Sequence, residues 1–597
     1  MKLTNKWHII VCINHMYTPI MATIQSKKSR GHKYWYIVES RRINGKPRPV
    51  VLAYLGKADD LLKRLQGLYE LKLKSYSHGA VSALIDVAAR LDIVDILNKY
   101  VKSSRPYVAE KPIRNNLTVG VTFLLGSIGR VCMPTSKMGW ESWARGTSAG
   151  YLLRCSFSKV DSQHFWDLMD SFPEDAIPWA EQEIMTRLLE VYKIRTDTLF
   201  YDTTNFFTYI DTTNDHCDIA QRGNNKQKRN DLRQVGLAMV VSREDYIPLF
   251  HHSYQGNLQD GTIFREVIEK IKDRMQSLGL NQDTHTLVFD RGNNSKENLA
   301  IVENLGFYYV GALTPYHHKE IIGRAMEDMA SIPLNDETLA VYREKSIIWE
   351  DEKTILVFVS DRLKAGQIRG IYQNLDKKEK SLKKLQQELA NPKGKKRDRK
   401  ELEEKISTIA AGQYLKGVIK WKLIESGDGK YFLDYRIDKE QLHCMENKLG
   451  FRILMTNRHE WTSQDIITAY YGQSIIEHAF KNMKNPYHLA LKPQYHWTDQ
   501  KIKVHYFICV IGYLLSSILW REARLRAGYT GTLDNLLDLL NNIRLGTMLE
   551  ESKKTGKPKA TYKLEEMTPD EKKIIEALGI ENVHNEQPKI KNVGVYK

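Results

Sequence analysis

The spacing of apolar residues changes along the chain, and each change marks a segment with a different predicted structure. Two strand-like runs flank Asn44 and Gly45, a dipeptide that favours a tight hairpin turn, and basic side chains accompany them. From Asp59 to Arg195, apolar residues recur every three or four positions, which is typical of helices. We therefore expect an N-terminal extension and a basic β-hairpin over residues 1–58, followed by a helical region over residues 59–195.

Residues 196–314 contain strand-length apolar runs that alternate with helical patterns. The order is strand, strand, strand, helix, strand, helix, strand, beginning with TLFYD and ending with FYYVGALT. Three antiparallel strands followed by parallel additions are the order of a ribonuclease-H-like α/β domain. In that arrangement the first and fourth strands are neighbours, so the residues that follow them meet at one edge of the sheet.

The next segment, residues 315–463, interrupts this core. Strand-like runs predict a β-rich insertion that forms a separate sheet. Within it, two apolar stripes of helical spacing flank the turn sequence NPKGKKR and predict an antiparallel helical hairpin over residues 368–412, whose many lysines are typical of a solvated face. Residues 464–525 return to helical spacing and complete the core, and residues 526–597 are expected to form a helical tail.

Two of the core strands end with the same residue types. TLFYD ends at Asp202 and TLVFD ends at Asp290, and polar residues follow each of them. A strand that leaves a core commonly ends in a polar residue, so one such run carries little information. Two carboxylates at the ends of neighbouring strands, however, suggest a site, because hard divalent cations prefer oxygen ligands.

A third acidic ligand is needed, because two aspartates leave such cations under-coordinated. The candidate is Glu477, within the helical run from Ala469 to Lys484. At about 100° per residue, one face of this run is apolar and the opposite face is polar. An ordinary amphipathic surface helix gives the same pattern. The polar face comprises Tyr470, Gln473, Glu477, Lys481 and Lys484.

Composition narrows the choice of partners. The chain has 597 residues, enough for several cores, and its Lys+Arg total of 89 against an Asp+Glu total of 72 gives a net charge of +17. This surplus favours a polyanionic partner, although a basic protein without one has the same composition. The cysteines form no CxxC pair, which argues against a zinc ribbon or a disulfide framework and agrees with a reducing cytoplasm. The adjacent histidine pairs lack nearby cysteine partners and are typical of surface or strand residues.

One further apolar run concerns the membrane. Residues 504–520 are slightly few for a span and include a histidine and two serines, so they predict a buried helix. No convincing secretory signal precedes the hairpin, because the short apolar run near the N-terminus lacks a small-residue cleavage site. We therefore expect a cytoplasmic protein without a membrane partner.

The helix around Glu477 resembles a known signature. Tyr470, Gln473, Glu477 and Lys484 are spaced as in the Tyr-Arg-Glu-Lys signature of the insertion-sequence-four superfamily of DDE transposases, with Gln in place of the commonest Arg. The phrases YDTTNFF, VFDRGNNS, IIEHAFKNMK and HYFICVIGYLL are similar to the sixteen-thirty-four branch of those bacterial insertion sequences. The resemblance covers most of the chain and is most specific in the three carboxylate blocks.

This resemblance implies a catalytic site and a reaction. Asp202, Asp290 and Glu477 would be the metal-binding DDE triad on the ribonuclease-H-like core, and the long interval before Glu477 leaves room for the insertion. Two Mg²⁺ ions, for which Mn²⁺ can substitute, would support phosphoryl transfer. The implied reactions are DNA cleavage at the ends of the protein's own insertion sequence and joining of the freed 3′ ends to target DNA.

The resemblance also implies DNA contacts. Lys484 would bind a phosphate near the cut, and Tyr470 would orient it. The Gln473 departure leaves open whether the phosphate contact made by Arg in relatives is kept, weakened or moved to Lys481. A basic loop after the first strand, QRGNNKQKRNDLR, is a further candidate for backbone contacts, although loops this polar are often only solvated. Its candidate DNA-binding residues are Arg222, Lys228 and Arg229.

The implied partners are double-stranded DNA, as terminal inverted repeats and as target, and further copies of this chain. Pairing two DNA ends requires a homodimer or a larger synaptic complex. End recognition is expected from the hairpin and the helical region, because phosphate contacts carry no sequence information. Two other interpretations fit the same residues: a metal-dependent nuclease of the same fold that nicks without joining, and a non-catalytic DNA-binding remnant of a transposase.

Overall fold

The computed structural model describes residues 22–590 except for 30–31, 44–45, 60–61, 63–71, 102–112, 212, 226, 281–284, 335–336, 392–396, 413, 426–429, 493 and 551–558. Several sequence predictions therefore lie outside the described residues. They are the N-terminal extension over residues 1–20, the hairpin turn at Asn44 and Gly45, most of the NPKGKKR turn of the helical hairpin and the part of the basic loop at Lys226.

The strands are distributed over the whole described chain. In chain order they are β1 (Ala22–Ser29), β2 (His32–Ile43), β3 (Lys46–Lys57), β4 (Lys72–Ser77), β5 (Ile113–Arg114), β6 (Leu117–Thr118), β7 (Thr198–Phe207), β8 (Gln221–Arg222), β9 (Arg233–Ser242), β10 (Pro248–Gln255), β11 (Thr286–Phe289), β12 (Tyr308–Leu313), β13 (Ala330–Leu334), β14 (Glu337–Ile348), β15 (Asp351–Val359), β16 (Ile419–Glu425), β17 (Tyr431–Ile437), β18 (Phe451–Thr456), β19 (Arg544–Glu550) and β20 (Lys559–Leu564).

The helices cluster before β7 and after β18, with others between the core strands. In chain order they are α1 (Gly79–Arg90), α2 (Ile93–Lys99), α3 (Val119–Cys132), α4 (Lys137–Arg145), α5 (Ala149–Leu152), α6 (Ser162–Asp170), α7 (Ile177–Val191), α8 (Asp260–Ser277), α9 (Lys296–Asn304), α10 (Lys319–Glu327), α11 (Asp361–Ala390), α12 (Arg399–Ala410), α13 (Lys439–Glu446), α14 (Ser463–Tyr471), α15 (Ser474–Asn482), α16 (Asp499–Ala527), α17 (Leu533–Asn542) and α18 (Pro569–Leu578).

A mixed sheet forms the centre of the molecule. Its strand order is β10-β9-β7-β11-β12-β18-β15-β14-β13, with β8 attached to β9. β7, β9 and β10 are antiparallel, and β11 then runs parallel to β7, with β12 parallel to β11. This is the strand order that the sequence predicts for residues 196–314. The first and fourth core strands are neighbours as expected.

The predicted separate sheet over residues 315–463 is only partly separate. β18 pairs with β12, and β15, β14 and β13 continue outward from it, so these strands extend the central sheet. The physical reason is that β15 and β18 each contain a run of consecutive buried residues, ILVF in β15 and ILM in β18, so both faces of these strands are covered, as in interior strands. Among the described strands of the insertion, β16 and β17 alone form a two-stranded sheet of their own.

The predicted helical hairpin is present and has its own hydrophobic core. α11 and α12 pack against each other, and α11 packs against β17. Leu382, Ile406 and Leu433, one from each of these elements, are fully buried. They belong to a cluster distinct from that of the rest of the protein. The part of the insertion that contains α11, α12, β16 and β17 is therefore stabilised largely by contacts within itself.

The segment before β7 shares the main hydrophobic core with the sheet. α16 packs against α1, α3 and β10, which places it between the helical region and the sheet. Glu181 on α7 joins the two parts, since it accepts a hydrogen bond from Nη1 of Arg274 at 2.7 Å and also binds Nδ1 of His251. All three side chains are buried. Burial raises the pKa of Glu181, but His251 and Arg274 lower it more, so the net shift is downward.

The predicted buried helix over residues 504–520 is confirmed as part of α16. Among the described residues, α16 is the only individual helix that is long and apolar enough to cross a membrane. Of its most apolar 18-residue stretch, 94% is buried inside the protein. The bent pair α3 and α4 passes the same test only if both are counted as one span.

The C-terminal segment differs from the expected helical tail. After α17, β19 pairs with β20 on one side and with β4 on the other. β4 lies in the segment predicted to be helical, so strands distant in sequence form a three-stranded sheet there. The spacing of apolar residues within one strand does not indicate a partner strand this far away in the sequence. These strands are also short and half exposed, so their own apolar pattern is weak.

The separate core of the insertion leads to a stability prediction. Leu382→Ala should lower the free energy of unfolding of the insertion by about 2–5 kcal/mol, because it removes a fully buried side chain and leaves a cavity. Hydrogen exchange measured by mass spectrometry should show faster exchange in α11, α12 and β17 and unchanged exchange in β7 and β9. Tyr372→Ala, at a half-exposed position on the same helix, is the control. Equal loss of protection in β9 would contradict an independent core.

Candidate active site at the edge of the mixed sheet

The two aspartates of the repeated strand phrase lie side by side. In the parallel β7–β11 pair, Tyr201 is opposite Phe289, so Asp202 and Asp290 come at the next matching positions. Oδ1 of Asp202 accepts a hydrogen bond from the backbone N–H of Thr203 at 2.8 Å, and Oδ1 of Asp290 accepts one from the N–H of Arg291 at 2.7 Å. Each carboxylate is therefore oriented by its own backbone.

The position of Asp202 differs from the sequence prediction in one respect. β7 does not end there but continues to Phe207, still paired with β9. It is β11 that ends at Phe289, and beyond this point the β11 side of β7 is uncovered. Asp202 is half-buried at this step in the sheet, whereas Asp290 is exposed at the end of its strand.

Successive side chains of β7 point to opposite faces of the sheet, and this alternation determines the face on which the Asp202 side chain lies. Tyr201 contacts Phe264 of α8, and Thr203 donates a hydrogen bond to Asp260 at the start of α8. On the opposite face, Phe200 lies against Gly472, where a Cβ would come within 2.4 Å of its ring. Because alternate side chains share a face, Asp202 points to the side that bears the α14–α15 segment.

The predicted single helix over residues 469–484 is two helices. α14 ends at Tyr471 and α15 begins at Ser474, with Gly472 at the junction. The close approach of Phe200 leaves no space for a side chain at Gly472, so a glycine lets the chain lie directly against β7 at this point. The single polar face expected from regular helical spacing is consequently wrong.

The break separates the predicted polar residues into two groups. Tyr470 and Gln473 are buried, at 8% and 9% exposure, while Glu477, Lys481 and Lys484 are exposed on or just after α15. α15 itself packs on β7 and β9 through buried residues that include Ile476 and Ala479. Glu477 is thus carried by a helix that lies on the strand bearing Asp202.

Tyr470 lies beside Asp290. Burial raises the pKa of Tyr470, and the charge of Asp290 adds to the increase, while Arg452 opposes it. Nη1 of Arg452 donates to the Tyr470 hydroxyl at 3.3 Å. The phenol therefore stays neutral, and its hydroxyl group accepts a hydrogen bond from a guanidinium group.

The two aspartates offer ligands that suit a divalent cation, but among the described residues a third ligand is not close to them. Asp202 and Asp290 offer oxygen ligands at adjacent positions, which suits hard cations. Within the described part of the chain, however, no three His, Cys, Asp or Glu side chains are close enough to hold a metal ion. Glu477 therefore does not join the two aspartates in one ligand group. The same finding applies to the adjacent histidines, of which His251 and His252 are residues of strand β10.

Cations follow the uncovered part of β7 beyond Asp202. Nζ of Lys484 donates to Oγ1 of Thr204 and lies 5.3 Å from the ring of Phe206. Nζ of Lys492 lies 5.0 Å from the ring of Phe207. Burial lowers the pKa of Lys492, and the positive charge of Arg229 lowers it further, which places the basic loop nearby. The sequence analysis missed Lys492 because it lies beyond the recognised helix.

The predicted residues of the basic loop are exposed. Arg222 is on β8, and Lys228 follows in the loop with a positive φ of 57°. The guanidinium group of Arg229 binds both carboxylate oxygens of Asp231 at 2.9 and 2.7 Å. Part of the positive charge of Arg229 is therefore balanced within the loop.

One acidic residue near the site was not predicted. Oδ1 of Asp260 accepts a hydrogen bond from the hydroxyl of Thr203 at 2.9 Å. Thr203 is the residue that follows Asp202 in the sequence. Asp260 is the first residue of α8, where a carboxylate is stabilised by the positive end of the helix. The position of Asp260 at the start of a predicted helix could have marked it as a candidate. Acidic residues are common at helix starts that have no functional role, however, so this position alone did not distinguish it.

The comparisons with known proteins agree with this architecture. Residues 21–78 match a family model described as "IS1634 family transposase, N-terminal domain". Residues 207–515, more than half of the chain, match one described as "Transposase DDE domain". The second match includes Asp290 and Glu477 and begins shortly after Asp202. Among curated proteins, none matches this chain.

A solved structure is also similar, the cryo-EM structure of the piggyBac transposase synaptic complex with hairpin DNA. The similarity covers 77% of this chain and 79% of that chain at 7% identity, with a TM-score of 0.38. A score this low supports no argument about this protein. The two family matches carry the conclusion: the chain belongs to the DDE transposases, in their IS1634 family.

Proposed function

We propose that this transposase cuts DNA at the ends of its own insertion sequence and joins the 3′ ends to target DNA, with Asp202, Asp290 and Glu477 as the catalytic carboxylates. One observation carries this proposal. The β7–β11 register places the two aspartates side by side, on the face of the strand over which the Glu477 helix packs. The family generally uses divalent metal ions, and these oxygen ligands suit Mg²⁺ or Mn²⁺.

The aspartates would hold the metal ions, and Glu477 would complete the ligand set by rotation of its exposed side chain. Bound ions would activate the attacking oxygen and stabilise the leaving oxygen during phosphoryl transfer. The protein's own contribution is to fix the two aspartates. The backbone N–H groups of Thr203 and Arg291 each donate a hydrogen bond to one oxygen of the adjacent carboxylate and so fix its orientation.

The cations around the site would bind the DNA backbone. Lys484 and Lys492 lie along β7 on the exposed side of Asp202, and Arg229 lies next to Lys492. Contacts of this kind position a strand without reading its sequence. Tyr470, with its neutral hydroxyl group near Asp290, would orient the phosphate at the cut.

Asp260 would act as a positioning residue through Thr203. Its hydrogen bond fixes the Thr203 side chain, and the N–H of the same residue holds Asp202. Displacement of Thr203 would therefore reorient the Asp202 carboxylate. This role requires no direct contact between Asp260 and the DNA.

Recognition of the element ends is assigned to the N-terminal sheet of β1, β2 and β3. It lies in the segment that matches the IS1634 N-terminal domain, and its exposed strand residues include several lysines and arginines. Since two ends must be held together, we also propose at least a dimer on DNA.

The catalytic proposal is tested by charge-removing substitutions. Asp202→Asn, Asp290→Asn and Glu477→Gln should each lower cleavage and joining by about 10³-fold, because each removes a charged metal ligand. The assay uses Mg²⁺ and a labelled duplex that carries the flanking ends of the gene, with products resolved on a sequencing gel. A loss below tenfold in any variant would remove that residue from the triad.

Asp197→Asn is the matched control for these variants. Asp197 precedes β7 and pairs with Arg195 at the opposite end of the strand, so its variant should keep full activity. Joined products separate a transposase from a nuclease. Metal-dependent cutting at the ends without any joining, by the unaltered protein, would favour the nuclease of the same fold.

The positioning role is tested with Thr203→Val. Loss of the hydroxyl group should lower kcat by roughly 10-fold or more and raise the Mg²⁺ concentration needed for half-maximal rate, because a hydrogen bond to a charged group contributes about 1.5–3 kcal/mol. KM for DNA should stay the same, and Thr203→Ser should restore the rate. An unchanged Mg²⁺ requirement together with a lower Tm would indicate a purely structural role.

End recognition is tested by removing residues 1–57. This deletion spares β4, which pairs with β19 in the remaining fold. The shortened protein should lose its preference for end sequences and keep salt-sensitive binding to unrelated DNA in gel-shift titrations. Unchanged preference for the ends would contradict the assignment.

A further inference from the structure

A groove lies between the sheet of β4, β19 and β20 and residues 144–158, and we call it the three-strand groove. Its volume is about 350 Å³, within the range of roughly 300–1,000 Å³ typical of ligand sites. It shares no lining residue with the candidate active site. Strands from the two ends of the chain meet in it, so its residues are brought together only by folding.

The lining of the three-strand groove favours an anion. Lys74 of β4 and Arg145 at the end of α4 both line it, and among its described lining residues none is Asp or Glu. The nearest carboxylate partner is Glu141, which binds Arg145 from one turn earlier on α4. Lys74 is exposed. A phosphate group between these two cations would be held by charge and by hydrogen bonds.

The floor of the groove adds aromatic surface. In the sheet, Lys74, Thr547 and Tyr562 lie opposite one another on three neighbouring strands, and Tyr76 is one pleat further along β4. The ring of Tyr562 stacks on Tyr151 with centroids 3.9 Å apart, which fixes its plane. A cation next to rigid aromatic rings is the arrangement that binds phosphate together with a sugar or a base.

Thr547 provides an independent sign of a ligand. Its side chain lines the groove and is only 4% exposed, and Oγ1 has no hydrogen-bond partner among the described residues. A buried hydroxyl without a partner costs stability, so such groups are normally satisfied. A polar atom of a bound molecule would satisfy this one.

We propose that the three-strand groove binds the backbone of a DNA strand at a second site, with one phosphate between Lys74 and Arg145 and the adjoining nucleotide against Tyr76 and Tyr562. The inference rests on the proposed action on DNA. β4 and the sheet assigned to end recognition both belong to the segment that matches the IS1634 N-terminal domain.

The test measures DNA binding in EDTA, where cleavage is not required, so its result is independent of the triad. The double variant Lys74→Ala/Arg145→Ala is compared with Lys405→Ala/Lys573→Ala, which removes the same charge from exposed positions on α12 and α18. Full-length proteins are titrated with the duplex carrying the flanking ends at several salt concentrations. Each phosphate contact contributes about 0.9 to the slope of log K against log salt concentration.

The groove variant should bind the duplex about tenfold more weakly at 0.1 M salt and lower the slope by about 0.9, as expected for the loss of one phosphate contact, whereas the control pair should change neither. Equal slopes for the groove variant and the unaltered protein would overturn the proposal. If thymidine 5′-monophosphate raises the Tm of the unaltered protein but not of the groove variant while the DNA slope stays the same, the occupant is a free nucleotide and not DNA.

Thr547→Val separates binding from folding. Removal of an unpartnered buried hydroxyl should leave the Tm unchanged or raise it, while the affinity for the duplex falls several-fold. Unchanged affinity together with an unchanged or higher Tm would contradict a ligand contact at Oγ1, and Thr547→Ser should restore binding.

Discussion

The parallel pairing of β7 with β11 is the constraint on which the account of this protein depends. The pairing fixes Tyr201 opposite Phe289, and the next residue on each strand is an aspartate. A shift of one residue would turn one carboxylate to the opposite face of the sheet. The buried aromatic residues before the aspartates hold the register, because Tyr201 and Phe289 both pack against Phe264 of α8.

The same strand organises the surroundings of the two aspartates. One face is covered by α8, whose first residue binds Thr203. The other face contacts Gly472 and the helix that carries Glu477. Beyond Asp202 the strand is flanked by lysines whose ammonium groups lie over its phenylalanine rings. One continuous strand thus connects a carboxylate edge with a basic surface, as an enzyme acting on a phosphate backbone requires.

Much of this arrangement is readable from local sequence, and the remainder depends on distant contacts. The strand and helix order of the core, the helical hairpin of the insertion and the buried α16 follow from apolar spacing. The contact of Phe200 with Gly472 at the junction of α14 and α15 does not, because these two residues are far apart in sequence. The extension of the sheet through β18 and the pairing of β4 with β19 depend in the same way on strands whose partners are distant. Lys492 and Asp260 were missed because each has an ordinary sequence context.

Metal-directed cleavage of the protein tests most directly the proposal that Asp202, Asp290 and Glu477 bind divalent cations together. Fe²⁺ bound in place of Mg²⁺ generates radicals with ascorbate and peroxide, and these cut the backbone next to the ion. The account predicts cuts near residues 202, 290 and 477 in the unaltered protein, all suppressed by excess Mg²⁺ and absent in Asp290→Ala. Cuts near 202 and 290 without any near 477 would contradict the three-carboxylate site, and cuts elsewhere would contradict the site altogether.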